Sequence, residues 1–292
     1  MRCEIHGAIS KKKLIDALKK IDNLIGLPEN TDILVYDNID FNPLKAVHMF
    51  VRNPGGLRKL NKEEHTSLSL SFNDKDVIII YISKREKYLE RDEEALIGLL
   101  MHEIMHVIQG RKGLDKEIEK DCSKALNSFV RNIKPKELHM YDSILRNASF
   151  VLKDIYANSE LVLNGLGKYV IENYYDLYAD KKKIPRHVHY ADLTSKALKD
   201  PKILSYAVNY ELDFMGVIVP AVILVHSKLE GKVKATRLIN TIAKCYENQM
   251  TSVADEFNKV IHFCVNHLED DSRFRQEYFE KVLEITKKLK QN

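Results

Sequence analysis

The chain has 292 residues, 45% of them hydrophobic and 30% charged, a balance that excludes a fibrous or disordered polymer and leaves room for a large buried core. Lys and Arg number 46 against 42 Asp and Glu, giving a net charge of +4 with the signs interspersed, which argues against a nucleic-acid-binding surface. The four cysteines (Cys3, Cys122, Cys245 and Cys264) form no CxxC pair, so reduced thiols in a cytoplasmic protein are expected and a disulfide framework is not.

Met1 to Ser10 is mixed polar and lacks the apolar core of a signal peptide. Leu14, Ile15, Leu18, Ile21 and Leu24-Ile25 then recur at helical spacing, and Gly26 and Pro28 end that helix. Ile33 to Tyr36 reads as a strand, and Ala46 to Val51 as a second, closed by Asn53-Pro54-Gly55-Gly56. Leu68 to Phe72 and Val77 to Ile82 flank the polar turn Asn73-Asp74-Lys75-Asp76, which is a hairpin signal. From about residue 90 the pattern turns helical, with helices expected near 92–109, 115–132, 136–153, 154–178, 192–200, 202–229, 231–248 and 250–288, the last two open to subdivision. Lys11-Lys12-Lys13 and Lys181-Lys182-Lys183 are the dense basic runs, and solvated helix ends explain both. The longest apolar run, Phe214 to Val225, is too short to span a membrane, which takes about 20 residues. A helix buried all round, or two short helices meeting at Pro220, accounts for it. The expected architecture is α+β: a small mixed N-terminal sheet with a hairpin over 1–90, packed on the helices of 91–180, then a helical region over 181–292.

The segment His102-Glu103-Ile104-Met105-His106 carries the chemistry. Positions i and i+4 lie one turn apart on a single helix face. Two imidazoles placed so can share one Zn²⁺ at about 2.0–2.1 Å each. Glu103 then stands beside the metal, able to take a proton from zinc-bound water and hand it to a leaving amine. Three fixed positions arise by chance, so context decides. Ala95 to Ile108 is apolar nearly all round, acidic residues open the segment at Glu90 to Glu94, and Gly110-Arg111-Lys112-Gly113 closes it. Two histidines and a glutamate in such a buried helix are costly unless something satisfies them, and core histidines bonded to carbonyls are the ordinary alternative.

The segment resembles the active-site helix of the zincin metallopeptidases, in which a twisted sheet precedes the helix and its edge strand holds the substrate backbone. The likeness covers about residues 65–165. It implies His102 and His106 as zinc ligands, Glu103 as general base, and a peptide or protein as substrate. The metzincin pattern is absent, since Gln109 and Lys112 stand where that subgroup has Gly and His. The resemblance then implies a third ligand on a later helix, as in the gluzincins: an acid followed four positions on by Asp or Asn, the second residue orienting the first histidine. Asp154-x-x-x-Asn158 and Glu160-x-x-x-Asn164 both have this form. Asp154 is preferred because it sits among Val151, Leu152 and Ile155, where an aspartate needs a reason to be; Glu160 stays open.

An oxyanion-stabilising His or Tyr is less defined, with His187, His189, His139, Tyr156, Tyr174, Tyr175 and Tyr178 all eligible. The expectation is a cytoplasmic zinc metallopeptidase with no nucleic-acid or membrane partner. Two other classes remain. One is a zincin-like scaffold that binds metal without cleaving peptides, and the other a helical interaction module with an accidental HExxH.

Overall fold

The computed structural model describes residues 3–6, 10–36, 67–72, 75–81, 92–130, 135–178, 197–227, 229–246 and 251–291. They fall into two compact units, Met1–Lys112 and Gly113–Asn292.

The first unit contains β1 (Cys3–His6), α1 (Lys11–Ile25), β2 (Thr31–Tyr36), β3 (Ser67–Phe72), β4 (Lys75–Tyr81) and α2 (Glu93–Arg111). Ser10 opens α1 by accepting a hydrogen bond from the Lys13 amide at 3.1 Å, and Leu14, Ala17, Leu18 and Ile21 form its buried stripe. Gly26 ends the helix at φ 73°, a backbone region open to glycine. The strands lie in the order β1-β2-β4-β3, parallel from β1 through β2 to β4 and antiparallel between β4 and β3. Phe72 pairs with Lys75, so the hairpin connection is two residues and not the expected four. Ile33 and Ile78, partners in the ladder, are fully buried. Helix α2 packs against α1, β3 and β4.

The second unit is helical: α3 (Leu114–Val130), α4 (Pro135–Leu161), a π-helical turn at Val162–Leu166, α5 (Gly167–Tyr178), a 3-10 turn at Ala197–Lys199, α6 (Pro201–His226), α7 (Lys232–Tyr246), α8 (Thr251–His267) and α9 (Ser272–Gln291). The α4–α6 pair makes the most extensive helix contact. Its core gathers Ile144, Leu152 and Ile155 of α4, Leu212 and Met215 of α6, and Tyr278 and Phe279 of α9. A buried ion cluster joins α3 to α9. Arg275, 3% exposed, donates from Nε to Asp121 (1% exposed) at 2.9 Å, and its other nitrogens reach Asp270 at 2.7 Å and Glu117 at 2.8 Å.

Three expectations are corrected. The α+β class gives way to a mostly all-α chain: helix is 88% of the described regular structure, and among the described residues no strand exceeds seven residues. The alternating apolar runs do form strands, but short ones, and they contribute little beside nine long helices among the described residues; the strand expected at 46–51 lies outside those residues. The division at 90 also moves. Helix α2 packs on the sheet and α1, so it closes the first unit instead of opening a second. The boundary expected at 180 lies outside the described residues; α5, just before it, packs on α6 and α7 within the second unit. The break placed between 153 and 154 lies instead at 162–166, where Gly165 takes φ 82° and interrupts the helical backbone.

Helix α6 runs unbroken through Pro220. At 26 residues, with a mean hydropathy of 1.7 over its apolar window, it is long and apolar enough to cross a membrane, yet 61% of that window is buried. It contacts α4, α7 and α8, as a core helix does.

Candidate metal centre

Helix α2 is capped by Asp92, whose Oδ1 accepts from the Ala95 amide at 3.1 Å, with Glu93 and Glu94 in the first turn, facing the positive end of the helix dipole. From Ala95 to Met105 every residue is buried, which explains the apolar composition on all sides. Arg111 anchors the far end. Its Nη2 lies 2.6 Å from Asp76 Oδ2 at the start of β4, and the same nitrogen donates to the Glu29 carbonyl. A helix fixed at both ends holds its middle side chains in place, and His102, Glu103 and His106 stand there.

The two histidines turn the same nitrogen towards each other. His102 Nε2 and His106 Nε2 are 3.1 Å apart, with the rings nearly perpendicular at 84° and their centroids 4.5 Å apart. Two nitrogens bound to one zinc at 2.0–2.1 Å with a tetrahedral angle lie about 3.3 Å apart. The observed spacing is that of a hydrogen bond between the two rings, and it is also close to what a shared ion requires, for which imidazole is a suitable ligand. Glu103 Oε1 lies 3.9 Å from His102 Nε2, beside the convergence point and too far for a hydrogen bond to that ring. His102 and Glu103 are buried and His106 is half-buried.

Asp154 and Glu160 both lie on α4 in the second unit, and both are half-buried. Their surroundings differ. The Asp154 side chain stands close to Gly216 of α6, where an added Cβ would lie 3.3 Å from Asp154 Cβ. Asn158, one turn on, is fully buried, and its Nδ2 donates to the Gly216 carbonyl and to Tyr174 Oη, each at 3.1 Å. Asn164, the partner in the Glu160 frame, is exposed and donates to the Glu160 backbone carbonyl at 2.8 Å, an ordinary local contact within the helix.

Comparison with protein-family models, curated proteins and solved structures finds no match.

Of the oxyanion candidates, His187 and His189 lie outside the described residues, as does the side chain of Tyr178. Tyr156 donates from Oη to the Glu269 carbonyl at 2.8 Å; burial pushes its hydroxyl far above the usual phenol range, and it acts as a packing group. His139 is exposed at the start of α4. Sequence reasoning missed two residues that shape the site's supports. Arg111 read only as a charge at a helix end; its ion pair with Asp76 spans 35 residues and leaves no local trace. Gly216 lies inside the apolar run Phe214 to Val225, and its closeness to Asp154 depends on helix pairing that no spacing rule encodes.

Proposed function

We propose that this chain is a zinc-dependent hydrolase of zincin type that cleaves peptide bonds in the cytoplasm. The convergence of the His102 and His106 Nε2 atoms at 3.1 Å within a buried helix carries the reading. Asp154 is the third ligand in this reading, supported over Glu160 by its closeness to Gly216 of α6 and by buried Asn158 on the same face. A bound zinc supplies Lewis acidity, polarising a carbonyl and lowering the pKa of water towards about 7. Glu103, beside the two histidines, would accept a proton from such a water and pass it to the leaving amine. Strand β3 supports a peptide substrate: it pairs only with β4 among the described residues, and it packs beside α2. Its outer edge can hydrogen-bond an extended chain. The free thiols of Cys122 and Cys264 and the buried α6 support a cytoplasmic setting.

The first test is metal content of the purified protein, followed by cleavage of a fluorogenic peptide mixture. The native chain should hold one zinc, and Glu103→Gln should keep it while losing turnover at least 100-fold, the low end of what a general base contributes. Cleavage by Glu103→Gln at the native rate would remove Glu103 from its role. His106→Ala should lose the zinc, and Asp154→Asn should bind it more weakly than Glu160→Gln does. Zinc held without any cleavage by the native chain would favour the scaffold reading.

A further inference from the structure

We infer that Gly216 and Pro220 of α6 form a seat that aims the Asp154 carboxylate, which makes Gly216 a positioning residue for the metal ligand. The inference rests on the proposed role of Asp154 and adds a device the ligand pattern does not contain. Proline has no backbone N–H, so inside a helix it leaves the carbonyl four residues earlier without its usual donor. For Pro220 that carbonyl is Gly216. Asn158 supplies a replacement: its Nδ2 donates to Gly216 O at 3.1 Å, and the amide is fully buried. Gly216 also lets the helices approach. A methyl group there would lie 3.3 Å from Asp154 Cβ and 3.6 Å from its Oδ2. One stretch of α6 backbone thus meets α4 at two points a turn apart, by close approach to the Asp154 side chain and by hydrogen bond to Asn158. Two such points restrain the roll of α4 and, with it, the place of the Asp154 side chain. Tyr174 of α5 accepts the second N–H of the same Nδ2 through its Oη at 3.1 Å.

The tolerance is narrow. Carbon atoms rest about 3.5–4.0 Å apart, so alanine at 216 displaces Asp154 by about 0.2–0.7 Å. Metal–ligand distances accept about 0.2 Å. The experiment is zinc affinity by chelator competition on the full chain, with thermal melting of the metal-free protein alongside. Gly216→Ala should weaken zinc binding about 10- to 100-fold, as loss of an orienting contact does. The metal-free melt should change little, because alanine is the better helix former. Placed on Asp154→Ala, the same substitution should cost no further affinity, whereas a general packing defect would lower it again. Pro220→Ala restores a competing N–H at the seat without adding bulk, and it should bind zinc several-fold more weakly while melting no lower than the native chain. Native zinc affinity in Gly216→Ala, or in Pro220→Ala should the first variant not fold, would overturn the seat and leave the zinc site standing. A native chain that binds no zinc would overturn the reading beneath it.

Discussion

Asp121→Asn tests how the helical unit is held together. Burial alone would raise the Asp121 carboxyl, but hydrogen bonds from Arg275, Ser272, Lys124 and Gln276 outweigh it and hold the group down at about 2, against an ordinary 3.8. A carboxyl held that far down contributes about 2 kcal/mol to stability at neutral pH. The folded value lies below the unfolded one, so this contribution is present above the unfolded value and is lost as pH falls through the folded one. About 1 kcal/mol is gone by pH 3 and about 2 kcal/mol by pH 2. Asparagine keeps the shape and still accepts from Arg275, but it does not titrate. Urea unfolding followed by circular dichroism at pH 6, 4 and 3 should therefore show the native chain losing its advantage over Asp121→Asn by about 1 kcal/mol over that range. A gap between the two proteins that stays constant from pH 6 to pH 3 would refute the assignment of that charge to Asp121.

Gly165→Ala meets no neighbouring atom, so only the backbone at φ 82° resists it; the substitution should cost about 1–2 kcal/mol in urea unfolding, the usual penalty for an L-residue in that region. Arg111→Met removes the ion pair to buried Asp76 while keeping the aliphatic stem. Because the arginine is itself partly exposed, the loss should be about 1–2 kcal/mol, read as faster hydrogen exchange in β4 and the last turn of α2.

The motif helix was legible because its signals are local. Asp92, Glu93, Glu94 and Arg111 mark its ends, and the apolar stretch between them places the helix within two residues of its observed bounds. The pairing of His102 with His106 follows from helical spacing alone. The break in the long α4–α5 rod was not legible at its true place: Asn164-Gly165 is a helix-stop pair, but apolar residues continue on both sides and hide it. Pro220 misled in the opposite sense. A proline inside a helix suggests a break, yet Asn158, 62 residues earlier, answers the carbonyl it orphans and the helix runs on. The fold class was misjudged for a related reason. Alternating runs announce strands loudly, while the weight of a fold lies in how much chain each element occupies, and helices occupy most of this one.

The burial of α6 also sets a timetable for synthesis. Its cover comes from α4, made before it, and from α7 and α8, made after it. At about 5–20 residues per second, the ribosome needs about 2–8 s to add the stretch from the end of α6 to the end of α8. Over that interval the 26-residue apolar helix has been made and the helices that complete its cover have not. Helix α4, already made, is the surface against which α6 can bury its apolar side chains first.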